Sequence, residues 1–240
     1  MSRLLSKSWT RSVEPVLRRL NAYGPLDQAE TALVQGLDGR LEQFKPGAEL
    51  VRAGGSAARP RFLLSGWACR QRVLPDGRRQ IFEFLLPGDG LGFCGPHGPA
   101  ALASTVAITA VETIGADGVQ EAIRNQPSSE LAKAMAAGAS EQEARLLDSL
   151  VRLGRQTAYE RVAHLLLELH RRLSVVGLAY DQRFSMPLTQ EVLSDALGLS
   201  VVHVNRILQQ LRREHLIELR SGGAILRAPA QLAIIADFRG

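Results

Sequence analysis

Four side chains near the C-terminus have types and a spacing that could read the edges of base pairs. If residues 200–211 form a helix, Val201, Val202, Asn205 and Arg206 share its outer face, with Gln209 one turn on. An arginine can pair with O6 and N7 of guanine through two parallel hydrogen bonds, and an asparagine or glutamine can do the same with adenine. Valine offers only apolar contact, for which a thymine methyl is the natural mate. Thr189, Gln190, Ser200 and His203 stand where donors would meet phosphate oxygens, contacts that position a protein without specifying sequence.

The elements that must position these groups are legible in the same stretch. Thr189 is a natural helix N-cap, and Glu191 falls in the electropositive first turn. Leu193, Ala196 and Leu197 give that helix one apolar face, and Gly198 supplies the left-handed residue that ends it. Ser200 caps the next helix, whose buried stripe is Val204, Ile207, Leu208 and Leu211. Two short helices joined by a three-residue turn, each with one apolar stripe, describe a helix-turn-helix. Residues 216–220, the turn Ser221-Gly222-Gly223 and residues 224–227 read as a β-hairpin, a wing. The plainer alternative is a helical packing unit with an arginine on its solvated face; the caps, turn and wing favour DNA.

Upstream, residues 158–173 carry Val162, Leu165, Leu166, Leu169 and Leu173 at helical spacing, and residues 177–187 read as a connector. Residues 128–157 hold no proline. Their apolar positions Leu131, Met135, Leu146, Leu150 and Leu153 are spaced by three and four within each half. That is an amphipathic helix of about thirty residues, roughly 45 Å long, longer than a small domain needs. Those five residues are the expected dimer interface, and the small residues Ala134, Ala136, Ala137, Gly138 and Ala139 permit close helix approach. Residues 1–127 read as a short helical lead followed by strands, at 61–64, 67–74, 80–86 and 103–114, punctuated by Gly and Pro. Pro75-Asp76-Gly77 is a hairpin turn, because Pro presets one φ and Gly accepts a positive one. Such closely spaced turns imply a small antiparallel barrel or sandwich. The expected class is α+β in three parts: 1–127 β structure, 128–157 dimerisation helix, 158–240 winged helix-turn-helix.

Composition limits the remaining functions. The chain has 240 residues, a net charge of +5, 45% hydrophobic and 22% charged residues, as an ordinary globular protein does. The basic excess suits an anionic partner but is mild. Arg3, Lys7, Arg11, Arg18 and Arg19 lie in the first twenty residues without an apolar core, so no signal peptide is expected. The longest apolar runs are too short to cross a bilayer, which makes a cytoplasmic protein without membrane contact the expectation. Cys69 and Cys94 are the two cysteines, too few for a disulfide framework or a four-cysteine metal site. Cys94-Gly95-Pro96-His97 could suggest ligation or a redox switch, but a lone Cys and His are more simply a small thiol beside a loop histidine. No nucleophile–base–acid order, metal triad or phosphate loop stands out, so no enzyme is expected.

Residues 189–211 resemble the DNA-binding segment of the Crp/Fnr superfamily, the cyclic AMP receptor protein and its relatives. Pro75-Asp-Gly-Arg-Arg-Gln-Ile81 and Leu86-Pro-Gly-Asp89 resemble its β-roll sensor, and residues 153–166 resemble the segment leaving its dimerisation helix. The resemblance implies an N-terminal β-roll akin to a cyclic-nucleotide-binding jelly roll, a long dimerising helix and a C-terminal winged helix. It also implies a homodimer on a palindromic operator, with RNA polymerase and a small-molecule effector as candidate partners. Arg206 matches the family's guanine-reading arginine. Val202 stands where many members have a glutamate, so the operator departs from the family's best-known half-sites, and Asn205 is available to share the readout.

Two family chemistries are not expected. Phe93 stands in Leu91-Gly92-Phe93-Cys94-Gly95 where cyclic-nucleotide binders place a ribose-binding glutamate, and no Lys or Arg occurs between Arg79 and Arg124 to meet a cyclic phosphate near residues 100–105. The iron–sulfur branch needs four cysteines, and two are present. A ligand-binding signalling module acting through protein contacts is the competing reading; the outward Arg206 and the missing phosphate cation weigh against it.

Overall fold

The computed structural model describes residues 12–55, 59–93, 101 and 103–238. Two short helices lead the chain, α1 (Glu14–Tyr23) and α2 (Gln28–Gln35). The second starts in a capping box: Asp27 accepts the Glu30 N–H at 2.8 Å, and the Glu30 carboxylate accepts the Asp27 N–H at 2.9 Å. Eight strands follow: β1 (Leu41–Phe44), β2 (Glu49–Val51), β3 (Arg61–Ser65), β4 (Ala68–Val73), β5 (Arg79–Leu85), β6 (Gly90–Leu91), β7 (Ser104–Ala107) and β8 (Val111–Gly115). They form two antiparallel four-stranded sheets, ordered β1-β8-β3-β6 and β2-β7-β4-β5. Leu50, Leu63, Ala68, Leu85, Leu91, Ala107 and Val111 fill a core of their own. The predicted β4–β5 hairpin forms, with Gly77 at φ 86° in its turn. The run expected at 103–114 is two strands, because Ile108 and Thr109 leave the ladder to donate to the Trp67 carbonyl. Cys94 and His97 lie outside the described residues.

A helix the sequence reading missed, α3 (Asp117–Asn125), precedes the long helix α4 (Glu130–Arg155), which the Ser129 hydroxyl caps by accepting the Ala132 N–H at 3.1 Å. The five expected interface residues of α4 do not share one open face. Leu131 is only 1% exposed and joins Val16, Leu17 and Leu20 of α1 in the core of its own chain, with Met135 packed against the same cluster. Leu146 is half-buried beside Ile81 and Leu165, and Leu153 lies beside the backbone of Gly198. Leu150 alone of the five is open, at 67%, and its neighbours in the open stripe are Leu147 at 56% and Val151 at 57%. The expectation placed one stripe where the helix has two: an inward one that pays for docking on α1 and the sheets, and an outward one in its C-terminal half.

The C-terminal part begins with α5 (Ala158–Val175), again opened by a capping box, here between Thr157 and Glu160. The segment read as a plain connector holds a hairpin, β9 (Ala179–Tyr180) and β10 (Arg183–Ser185). Its turn uses Asp181 and Gln182 at positive φ without a glycine, which concealed it in the sequence. Helices α6 (Gln190–Leu197) and α7 (Val201–Arg213) precede the wing strands β11 (Ile217–Arg220) and β12 (Gly223–Leu226), and the wing and hairpin make one sheet ordered β11-β12-β10-β9. A last helix, α8 (Pro229–Ala236), also unexpected, lays Leu232 and Ala236 in the core, where the Ala236 carbonyl accepts a hydrogen bond from the Gln156 amide at 2.9 Å. Among the described residues no helix is long and apolar enough to cross a membrane.

The two ends of the chain are joined by packing and by buried charge. One apolar cluster runs from Trp67, Ile81 and Phe84 of the β-roll to Leu165, Leu193 and Leu197. Beside it Arg79 donates to Asp195 of α6 at 2.7 Å. Arg172 of α5, 2% exposed, donates to Asp89 at 2.6 Å and lies 3.4 Å from Glu168, which also receives Arg152 at 2.9 Å. Burial opposes ionisation of Asp89 and Glu168, but the surrounding guanidiniums, Arg172 foremost for Asp89 and Arg152 for Glu168, outweigh it and hold both carboxyls below the usual range.

Candidate nucleic-acid interface

The helix-turn-helix is built by its caps. The Thr189 hydroxyl accepts the Val192 N–H at 3.2 Å and starts α6. Gly198 ends it in the left-handed region, φ 63° and ψ 37°, and a Cβ there would also press the Leu153 side chain at 3.4 Å. Two residues later the Ser200 hydroxyl accepts the His203 N–H at 3.2 Å and starts α7. Val204, Ile207, Leu208 and Leu211 then bury one face of α7 in the shared core. That burial fixes the azimuth of the helix and therefore what its other face presents.

The outward face carries the four predicted base-reading residues together. Val202 is 79% exposed, a large apolar side chain held in water at the start of the helix. Val201 is exposed, Asn205 half-buried and Arg206 exposed. Asn205 accepts a hydrogen bond from the Gln209 amide at 3.3 Å, which orients both side chains along the helix. Arg206 has no hydrogen-bond or ion-pair partner among the described residues, so its five donors remain available. The phosphate candidates flank this face: Thr189, Gln190 and Ser200 are exposed and His203 is half-buried. The Thr189 and Ser200 hydroxyl oxygens already accept cap hydrogen bonds, so each would give a phosphate its O–H.

Electrostatics at the rim agree with an anionic partner. Arg212 and Arg213 end α7, and Arg183 and Arg220 stand exposed on the adjoining sheet. Glu218 of the wing binds both Arg220, at 2.6 Å, and Arg227, so the one carboxylate there is shared by two guanidiniums. Glu214, behind the helix, is taken up by the Tyr159 hydroxyl.

The β-roll departs from a cyclic-nucleotide site where it is described. The Phe93 ring packs on Phe62 with centroids 5.0 Å apart and offers no acceptor to a ribose hydroxyl. Cys69 is buried and its thiol is pushed up to about 11 by that burial, so it is protonated and unreactive at neutral pH. What sequence reasoning missed is the open α4 stripe of Leu147 and Val151. Its signal was present as a repeat of three and four through residues 136, 140, 143, 147, 150 and 154.

Comparison with known proteins agrees with this geometry over both halves of the chain. Residues 160–235 match the Crp-like helix-turn-helix domain and residues 41–121 the cyclic nucleotide-binding domain. The chain is 32% identical over 216 residues to the nitrogen fixation regulation protein FixK of Bradyrhizobium diazoefficiens, covering 88% of this chain and 87% of that protein. It is 30% identical over 182 residues to FixK of Rhizobium meliloti, covering 76% of this chain and 80% of the relative. The solved structure of FixK2 from Bradyrhizobium japonicum superposes with a TM-score of 0.73 at 26% identity, over 85% of this chain and 100% of that one.

Proposed function

The chain belongs to the Crp/Fnr family of transcription regulators, and on that premise we propose that it binds a palindromic operator as a homodimer, each α7 reading one half-site in the major groove. The observation that supports this reading most directly is the outer face of α7, where an unpaired Arg206 and an exposed Val202 are held in place by a fully buried opposite face. Arg206 reads a guanine, Val202 packs on a thymine methyl, and Asn205 with Gln209 recognises an adjacent base. Two α7 helices about one DNA turn apart put half-site centres roughly 10 bp from each other. The dimer forms along the open stripe of α4 that contains Leu147, Leu150 and Val151. The protein acts in the cytoplasm without a cyclic nucleotide held in the family's usual manner and without an iron–sulfur cluster: Phe93 replaces the ribose ligand, and the sequence holds two cysteines.

On an operator selected from random DNA, Arg206→Ala is expected to weaken specific binding by about 1–3 kcal/mol and to relax preference at one position. Competition titrations against every base at each position measure both effects. An equal loss on random DNA would assign Arg206 to phosphate contact instead.

A further inference from the structure

A cavity of about 490 Å³ lies between the β-roll and the helices α1, α3 and α4. One end is apolar, walled by Leu20, Phe62, Leu85, Phe93, Ile123 and Met135. The other end is lined by Arg19, Glu83, Asp89 and Arg145. Arg19 is 5% exposed, yet its Nε and Nη2 make no hydrogen bond, and its contact with Asp89 is a loose 3.4 Å. Arg145 Nε is likewise buried without a hydrogen-bond partner. Buried guanidinium donors are almost always satisfied, and several left open on one cavity wall mark a place for an acceptor.

Charge points the same way. The ion pairs around this end link Arg19, Arg70, Arg145, Arg152 and Arg172 to Glu83, Asp89, Glu141 and Glu168, five cations against four anions among the described residues. One positive charge is left over in a desolvated setting, where an anionic group is strongly favoured. The volume suits a mid-sized organic molecule. We propose that this cavity binds an amphipathic organic anion, its apolar or aromatic body against Phe62, Phe93 and Met135 and its carboxylate or sulfonate on Arg19 and Arg145. Asp89 contacts Arg19 on one side and Arg172 of α5 on the other, so an occupant that draws Arg19 away alters the seat of the DNA-binding part. That consequence rests on the regulator reading above; occupancy does not.

The test is a fluorescence titration of the full-length protein with anilinonaphthalene sulfonate, an aromatic anion, beside the neutral dye N-phenylnaphthylamine. Saturable binding of one sulfonate dye per chain is expected. Arg19→Gln should weaken it roughly tenfold or more, the effect of losing a charge-assisted contact, and should leave the neutral dye unaffected. Met135→Trp, which fills the apolar end and keeps every charge, should weaken both dyes, and it serves alone if Arg19→Gln does not fold. Sulfonate binding that survives either substitution unchanged, or that never saturates, overturns the proposal. Specific DNA binding is measured on the same preparations, so failure of the cavity proposal and failure of the regulator reading are separate results.

Discussion

Glutamate placed at both Leu147 and Leu150 is expected to convert the dimer to a monomer and to weaken operator binding by about 100- to 10,000-fold, the range lost when a second binding event ceases to be intramolecular. Both side chains are more than half exposed in the single chain, so the fold has little stake in them. In a dimer they are the large apolar members of a stripe that otherwise holds Ala136, Ser140, Glu143 and Gly154. Four like charges brought to one seam oppose its closing, as buried unpaired charge does anywhere. Sedimentation equilibrium reads the mass, circular dichroism confirms that the helices persist, and titration of the operator reads the affinity. A doubly substituted protein that stays dimeric would move the interface elsewhere.

Arg172→Met is expected to cost the folded protein about 3 kcal/mol or more, as breaking a buried pair does. The substitution leaves Asp89 and Glu168 inside with fewer partners, Arg19 at 3.4 Å for the first and Arg152 at 2.9 Å for the second. Urea denaturation at one fixed protein concentration measures the loss, because a dimer's stability depends on concentration. Both carboxyls have folded pKa values depressed below those of the unfolded chain, so their contribution is present above about pH 4 and is lost as pH falls through the folded values. The variant therefore loses less further stability on acidification than the unaltered chain. A surface pair gives the contrast: Arg18 and Glu14 are both about half exposed, and Arg18→Ala should cost at most about 1 kcal/mol.

The features that could be read from the sequence were those fixed by local chemistry. Thr189, Gly198 and Ser200 each terminate or start a helix by interactions within four residues, and they set the helix-turn-helix without help from the rest of the chain. Pro75-Asp76-Gly77 did the same for the β4–β5 hairpin. The elements that escaped depend on distant partners. The β9–β10 hairpin is short, its turn lacks glycine, and it is held by pairing Arg183, Phe184 and Ser185 with β12, some forty residues away. Helix α8 is eight residues of almost unbroken apolarity, without the polar alternation that reveals a face. The assignment of Leu131 and Met135 to the dimer seam failed for a related reason: periodicity identifies a buried face but not what buries it, and α1 takes that place. The charge cluster of Arg19, Asp89, Glu168 and Arg172 draws on four separate segments, and no spacing rule connects them.

The central claim is that two copies of α7 read DNA in a symmetric, sequence-specific way. Selection of bound fragments from a random pool by the purified full-length protein, with no ligand added, tests it most directly. Enrichment of an inverted repeat with half-site centres roughly 10 bp apart and a shared guanine in each half is the predicted result. A pool that stays random with the unaltered protein, or that enriches equally with Arg206→Ala, would contradict it.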